Sequence, residues 1–352
     1  MVSAVLFITF FVLLVLNVPI AVCLGLSSAA AILYSGTSLT IVATNIYSGI
    51  SKFLLLAIPF FVLSGNIMAK AGISTRLIRF VDTCVGHRKG GIANVCIIVA
   101  CFFGAISGSG PATVAALGAV LIPAMVERGG FSAAFSTALM ATSSSIAIVI
   151  PPSIAFVVYA SITGVSIGDM FMAGIIPGIL MGLALVVVVM LEVRRNHVVP
   201  SNVEKASAKE RWNAFKDAFW GFLMPIIILG GIYGGFFTPT EAAAVSVVYG
   251  LFVGMVIYKE VKFKDLWEIL IDSAKTTGGI MLIVACASLF SFVCTRFGIS
   301  TAASELLARV ASNQFTFLLI CNIIFLIAGC FIDANSAMYI FIPIMLPVCK
   351  AL

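Results

Sequence analysis

The chain has 352 residues, of which 62% are hydrophobic and only 10% are charged. Soluble globular proteins average about 45–50% apolar and about 25% charged residues, so the composition excludes an ordinary water-soluble domain. The net charge of +6 does not indicate nucleic-acid binding, because most of the basic residues fall in short loops between apolar runs. Basic loops of this kind orient a chain in a lipid bilayer, and we therefore expect an all-α polytopic membrane protein.

Apolar runs long enough to cross a hydrocarbon core of about 30 Å predict the membrane spans. They lie at about 2–17, 18–35, 53–70, 131–162, 168–193, 217–237, 238–258 and 276–297. Two further apolar stretches, 91–126 and 314–350, are each interrupted by small and polar residues, which predicts two re-entrant helical hairpins. Segments that combine charges with large apolar side chains, at 73–86, 262–275 and 300–311, are typical of interfacial helices.

The basic residues favour one orientation in the membrane. If both ends of 91–126 lie in the cytoplasm, sixteen of the twenty basic residues are cytoplasmic, as the positive-inside rule requires. The hairpin 314–350 then enters from the opposite face.

The two halves of the chain share the order of several motifs, which predicts inverted repeats. The matching pairs are 17–19 with 237–239, 72–74 with 298–300, Gly104 with Gly329 and Pro123 with Pro347. Inverted repeats with broken helices are typical of secondary transporters that bind their ligands near the bilayer midplane. The second repeat stops just after its hairpin, so we expect a C-terminally truncated chain.

The repeats suggest five functional segments. They are scaffold spans at 1–70, a transport part at 71–193, a cytoplasmic basic loop at 194–216, scaffold spans at 217–297 and an incomplete transport part at 298–352.

The first candidate site is the break at 107–113, which consists of seven small or turn residues within an apolar stretch. Glycines and Pro111 end one half-helix and open another, and the exposed amides and positive dipole end favour an anion. Hydroxyls and freed carbonyls there can coordinate a small cation. The alternative is a simple kink or close helix packing through small residues.

The second candidate is the run of four hydroxyl residues at 142–145, Thr142 and three serines, followed by Pro151 and Pro152 inside one long span. Two prolines remove backbone donors and leave carbonyls near 147–149 without helical partners. Hydroxyls one turn upstream lie close to those carbonyls, an oxygen set that suits sodium. The alternative is that the serines bond to their own helix beside a proline kink.

The third candidate is the break of the second hairpin, at 333–336. Asp333 is an acid deep within an apolar stretch, and such residues are functional candidates. The alternative is a helix cap at a water-exposed tip. By contrast, Thr238, Pro239 and Glu241 predict a structural capping box. The sequence shows no pairing of a nucleophile with a base, so we do not expect an enzyme or a cofactor.

These motifs resemble the large membrane subunit of tripartite ATP-independent periplasmic (TRAP) transporters. The similar strings are 107–116, 122–125, 237–244 and 329–333. The resemblance implies a sodium-driven importer of the ion-transporter superfamily, working as an elevator in the bacterial inner membrane. It also implies a small four-span membrane subunit and a periplasmic substrate-binding protein that delivers a carboxylate such as a C4-dicarboxylate or sialic acid.

The same resemblance assigns residues to sites. The first sodium site takes Ser107, Ser109, Gly110, Ser143, Ser144, Ser145, Val149, Ile150 and Pro151. The second, incomplete in this chain, takes Asp333, Asn335 and Ser336, and the substrate lies against Pro111, Thr113, Ser153 and Asn335. Two alternatives remain open: a truncated, inactive scaffold product, and an anion carrier of the same fold that works without a binding protein.

Overall fold

The computed structural model describes residues 1–196, 205–311 and 313–351, and these residues form sixteen α-helices without a strand. The first eight are α1 Val2–Val15, α2 Ile20–Tyr34, α3 Thr40–Ile50, α4 Ala57–Lys70, α5 Ile73–Val85, α6 Gly91–Ser107, α7 Gly110–Glu127 and α8 Ala133–Val149. The others are α9 Ile154–Thr163, α10 Ile167–Arg195, α11 Ala208–Tyr233, α12 Pro239–Phe252, α13 Phe263–Arg296, α14 Ile299–Val310, α15 Gln314–Ala328 and α16 Ala334–Ala351. A 3₁₀ turn at Phe53–Leu56 precedes α4, and a π-helical turn at Val253–Ile257 follows α12.

Among the described residues, seven helical segments are long and apolar enough to cross a membrane, or eight if the bent pair α8 and α9 forms one span. The expectation of an all-α polytopic membrane protein is therefore confirmed. Both stretches predicted as hairpins consist of two helices: α6 with α7, and α15 with α16. In each pair the two helices also contact each other.

Three helices differ from the sequence prediction. Residues 40–50 form α3, which was not predicted, and α13 joins the predicted segment 262–275 to the span 276–297 in one 34-residue helix. Such a helix is about 51 Å long at 1.5 Å per residue, so its charged first turns extend beyond a 30 Å hydrocarbon core. The third helix, α11, begins at Ala208 inside the predicted loop 194–216, and residues 197–204 of that loop lie outside the described residues.

The predicted capping box at the start of α12 is confirmed. The Thr238 backbone N–H donates to Glu241 Oε2 at 2.8 Å, and the Glu241 N–H donates to Thr238 Oγ1 at 3.3 Å. These reciprocal bonds satisfy two amide donors that the first turn of a helix otherwise leaves without partners.

We expect Thr238→Ala to lower the free energy of unfolding by about 1 kcal/mol, the usual loss for an N-cap hydroxyl. The check is the thermal midpoint in detergent at fixed pH. Thr238→Ser keeps the accepting oxygen and should retain most of the stability; an equal loss in both variants would contradict the capping role.

Two of the paired motifs, 72–74 with 298–300 and Pro123 with Pro347, adopt the same local structure. Gly72 and Gly298 both take a left-handed conformation, with φ of 68° and 71°, and each directly precedes a short amphipathic helix. Pro123 and Pro347 both lie inside the second helix of their pair. The sequence correspondence therefore extends to backbone conformation.

The chain forms two compact units. One comprises Met1–Leu55, Val158–Val165 and Thr276–Leu352, and the other comprises Leu56–Val157 and Ser166–Lys275. In the first unit, the fully buried ring of Phe290 packs against Phe7 and Phe10 of α1. In the second unit, α6 and α7 both pack on α8, and α4 packs on α12.

Candidate functional site

The first break lies between α6 and α7 and is built by Gly108, Ser109 and Pro111. Gly108 ends α6 with a left-handed φ of 61°, and its N–H donates to Gly104 O at 2.8 Å. Ser109 then takes an extended conformation and caps α7, with its hydroxyl 3.5 Å from the Ala112 N–H. Pro111 occupies the first turn of α7, where its missing N–H is not required. The predicted break is thus present at the predicted residues.

Three oxygens gather just inside this break. Thr113 Oγ1 donates to Ser109 O at 2.8 Å, and it lies 3.2 Å from Ser107 Oγ. Ser107 Oγ is in turn 3.4 Å from Ser109 O. The Thr113 side chain is fully buried and that of Ser107 nearly so, which leaves these oxygens shielded from bulk solvent. We call this group the tip oxygens.

The second break lies between α8 and α9, which meet at an angle of 44°. Ile150 ends α8 with an extended ψ of 126°, and residues 151–153 are not helical. The peptide bond between Pro151 and Pro152 is cis. The buried hydroxyl of Ser153 donates to Ile148 O at 2.5 Å, so it satisfies one of the carbonyls that the two prolines leave without a helical donor.

The two breaks contact each other. The Ile154 N–H donates to Gly108 O at 3.4 Å, and a β-carbon on Gly108 would lie 2.8 Å from Pro152 O. Two residues after Gly108, a β-carbon on Gly110 would lie 3.3 Å from Ser144 O of α8. The glycines therefore let the backbone of one break approach the backbone of the other, as the predicted first site requires.

Some predicted residues of the first site lie elsewhere. Ser145 is exposed on α8, because successive helical residues are rotated by about 100° and its neighbours Ser143 and Ser144 take the buried face. Ser144 Oγ donates to Ala141 O at 2.7 Å, which is the back-bonding alternative. Ser143 Oγ is buried and, among the described residues, has no hydrogen-bond partner.

The predicted backbone ligands at the end of α8 face α10. A β-carbon on Gly174 would lie 2.4 Å from Val149 O, and one on Gly178 would lie 2.4 Å from Ile150 Cγ1. Pro151, in the second break itself, is buried. Sequence reasoning missed Gly108 and Pro152 as contact residues, although the glycine directly after Ser107 was a signal for a left-handed turn.

The predicted substrate residues divide between the two units. Thr113 and Ser153 are buried at the two breaks described above, whereas Pro111 is exposed. Asn335 belongs to the other unit, as do Asp333 and Ser336. Thr113 lies among the tip oxygens, so a residue predicted for the substrate shares its position with residues predicted for the cation.

Asp333 caps the first turn of α16. Its Oδ2 accepts from the N–H groups of Asn335 and Ser336 at 3.0 and 3.3 Å, and its Oδ1 accepts from the Ser336 hydroxyl. The Asp333 side chain is exposed, and Asn335 Oδ1 is buried without a hydrogen-bond partner. Asp333 thus acts as a helix cap, which was the alternative to a functional role. The Oδ1 atom of Asn335 is left as an acceptor that a ligand could use.

The end of α9 is tied to α16 within the first unit. Ser161 Oγ lies 3.2 Å from the Tyr339 hydroxyl, and the Lys52 ammonium donates to Ser161 O at 2.6 Å. Partial burial lowers the pKa of Lys52 from its usual value. A basic group thus caps the carbonyl end of α9, where the helix dipole favours positive charge.

The ligand atoms at the first break are hydroxyl and carbonyl oxygens. Hard cations such as Na⁺ and Ca²⁺ take oxygen ligands, and around an ion of that size neighbouring oxygens lie about 3.4 Å apart. Two of the three distances between the tip oxygens, 3.2 and 3.4 Å, are close to this spacing, and the third, 2.8 Å, is that of a hydrogen bond. In the part of the chain that the structure describes, no group of three or more His, Cys, Asp or Glu residues could hold a metal ion.

Known proteins match the chain over almost its whole length. Residues 7–352 match the family described as tripartite ATP-independent periplasmic transporter, DctM component. The chain is 38% identical to the C4-dicarboxylate TRAP transporter large permease protein DctM of Rhodobacter capsulatus, over 96% of this chain and 79% of that protein. It is 41% identical to the protein of the same name from Pseudomonas aeruginosa, over 94% of this chain and 77% of that protein. It is also 39% identical to the isethionate TRAP transporter permease protein DctMQ of Oleidesulfovibrio alaskensis, over 98% of this chain and 54% of that protein.

Proposed function

Because this chain belongs to the DctM-component family of tripartite ATP-independent periplasmic transporters, we propose that it is the large permease of a sodium-coupled importer of small carboxylates. Membership makes it a transporter component of a multi-pass membrane family. We propose three further properties that membership alone does not give: sodium coupling, the substrate class and the mode of transport.

The contact between the two breaks is the observation that carries the proposal. Two separate helices lose their regular hydrogen bonding at the same place, and the oxygens of Ser107, Ser109 and Thr113 lie there 2.8–3.4 Å apart, close enough together to share one cation. These ligands carry no formal charge, which suits a singly charged ion. Broken helices that line an ion site are the usual arrangement in sodium-coupled carriers.

The substrate class follows from the chemistry at the start of α7 and from the relatives' names. The N-terminal amides and positive dipole end of α7 begin at Gly110, next to Thr113, and they favour an anion. Two relatives are named for C4-dicarboxylates and one for isethionate, which are all small organic anions. We propose a C4-dicarboxylate-like or sialic-acid-like carboxylate, with Pro111, Thr113 and Ser153 of the second unit as its contacts.

The proposed transporter has two further components: a small four-span membrane subunit and a periplasmic binding protein. The double name of the DctMQ relative, of which this chain covers 54%, fits a large permease joined to a second component. We place the assembly in the bacterial inner membrane. Within it, α6–α7 and α15–α16 act as re-entrant hairpins of an elevator.

The experiment is the thermal midpoint of the purified protein in sodium against potassium at equal ionic strength. We expect a sodium-specific rise, since a ligand at about 100 times its dissociation constant stabilises a protein by about 2.7 kcal/mol. Thr113→Val keeps the side-chain shape but removes a tip oxygen, and it should abolish most of the rise.

Ser145→Ala is the matched control, because Ser145 lies on α8 but is exposed. It should respond to sodium like the wild type. Equal midpoints in the two salts, or an undiminished sodium response in Thr113→Val, would refute the proposed cation site. Uptake of a labelled carboxylate into proteoliposomes, with and without a sodium gradient and the binding protein, then tests coupling and the need for the partner.

A further inference from the structure

A polar cavity of about 440 Å³ lies in the second unit, away from the two breaks. Its walls come from the start of α5, the middle of α11 and the segment that follows α12. The lining residues are Gly72, Thr75, Arg76, Arg79, Asp217, Ile257, Tyr258 and Glu260.

The chain after α12 turns back to form one wall. Gly254 O, in the π-helical turn, accepts from the N–H groups of Glu260 and Val261 at 3.0 and 3.1 Å. Tyr258 Oη donates to Asp217 O at 2.6 Å and so fixes this turn against α11. Burial raises the pKa of Tyr258 to about 12, so its hydroxyl remains a donor even well above neutral pH.

Arg76 belongs to the wall and has little capacity left for a ligand. Its guanidinium donates to Ala71 O at 2.9 Å and to Gly72 O at 3.1 Å, and it pairs with Glu260 Oε1 at 2.6 Å. The same group lies 3.9 Å from the centroid of the Tyr258 ring. A β-carbon on Gly72 would lie 2.8 Å from Arg76 Nη1, so glycine makes room for this pair.

Arg79 is held much less firmly. Its one ion pair, to Asp217 Oδ2, is 3.5 Å long, and the side chains are 69% and 52% exposed. An exposed pair of this kind contributes little stability. Thr75 lies one turn earlier on the same face of α5, so a hydroxyl and a guanidinium are available together.

The cavity lies where two candidate spans end. One of these spans ends at Lys70 and the other at Ile257, which is itself a lining residue. Trp212 and Phe219 are exposed on α11 near Asp217, and aromatic side chains mark the edge of the hydrocarbon core. Lipid phosphodiesters lie at this level, and the positive-inside rule places it on the cytoplasmic side.

We propose that this cavity binds the phosphoethanolamine headgroup of a phospholipid from the cytoplasmic leaflet. Arg79 and Thr75 hold the phosphodiester, since a guanidinium matches two phosphate oxygens at once. The primary ammonium group donates to Asp217 and Glu260. A headgroup that carries only negative charge is repelled by these two carboxylates. A choline headgroup cannot donate hydrogen bonds to them.

The test is native mass spectrometry of the delipidated protein with phosphatidylethanolamine, phosphatidylcholine and phosphatidylglycerol that share the same acyl chains. We expect phosphatidylethanolamine to bind most tightly. Arg79→Gln should weaken its binding about tenfold, the loss expected for one charge-assisted hydrogen bond. The matched control is Arg88→Gln, which removes the same charge from an exposed residue outside the cavity.

Asp217→Asn tests the ammonium contact separately. It should reduce the preference for phosphatidylethanolamine over phosphatidylglycerol, and it leaves the backbone carbonyl that anchors Tyr258 in place. Equal losses in Arg79→Gln and Arg88→Gln, or equal binding of all three lipids to the wild type, would overturn the proposal. Soluble glycerophosphoethanolamine should not bind at the same concentrations; equal binding would point to a water-soluble ligand and contradict a lipid site.

Discussion

Gly108→Ala should abolish the sodium response and lower the free energy of unfolding by about 2–4 kcal/mol. A non-glycine residue in the left-handed region costs about 1–2 kcal/mol, and Gly108 has a φ of 61°. The added methyl group would also lie 2.8 Å from Pro152 O, so the two breaks would have to separate. Separation removes the contact on which the proposed cation site depends. The measurements are the thermal midpoint and its shift between potassium and sodium.

The control for this substitution is Gly36→Ala. Gly36 has a φ of 71°, but nothing lies within 4 Å of its would-be β-carbon. Gly36→Ala therefore has the free-energy cost of an alanine in the left-handed region but no steric clash with another residue. This variant should keep the full sodium response. A Gly108→Ala protein that is no less stable than Gly36→Ala, and that still responds to sodium, would contradict the described contact.

Gly104→Val should be the most destabilising single substitution in the hairpin, with a loss of at least about 3 kcal/mol. A β-carbon on Gly104 would lie 2.6 Å from both Cα and Cβ of Ala147, so α6 and α8 cannot keep their spacing. Overpacking usually costs about 1–3 kcal/mol, and here the obstacle is backbone, which cannot change rotamer. The check is the unfolding transition in detergent, with the yield of folded protein as a second readout.

Gly118→Ala provides the comparison for a helical glycine with room around it. Its would-be β-carbon meets side-chain atoms at 3.5 Å or more, which is ordinary contact. Since alanine is the better helix former by about 1 kcal/mol, Gly118→Ala should be neutral or stabilising. If Gly104→Val behaved in the same way, the close approach of α6 and α8 would be wrong.

The positions of the breaks were predictable because several glycines and prolines cluster there, and these residues act on the backbone locally. Gly108 can take a positive φ, Pro111 suits the first turn of a helix, and the adjacent Pro151 and Pro152 remove two consecutive helical N–H donors. The rotation of each helix was harder to predict, because it depends on neighbours distant in sequence. Val149 O faces Gly174 rather than the first break, and nothing near residue 149 specifies this.

Two errors could have been avoided from the sequence. Four consecutive hydroxyl residues on a helix cannot all face one site, so one of the serines from 143 to 145 had to point away. The missed helix α3 was visible through the repeat: Gly298 matches Gly72 with an offset of 226 residues, which maps the start of α13 onto 37–50. A search based on hydropathy misses α3, because its polar residues lower the mean hydropathy of the segment.

The glycine contacts of α6, α7 and α8 have a mechanical consequence. Gly104 meets Ala147 and, on α4, Gly65 meets Ser107, in both cases with backbone or Cβ atoms at the point of closest approach, while Gly110 meets Ser144 O and the Ile148 side chain at the same distance. At the Gly104–Ala147 and Gly65–Ser107 contacts, no long side chain lies between the helices to slide or exchange rotamers. The three helices should therefore move as one piece, and any displacement during a transport cycle must be taken up at the connections that lead into and out of them.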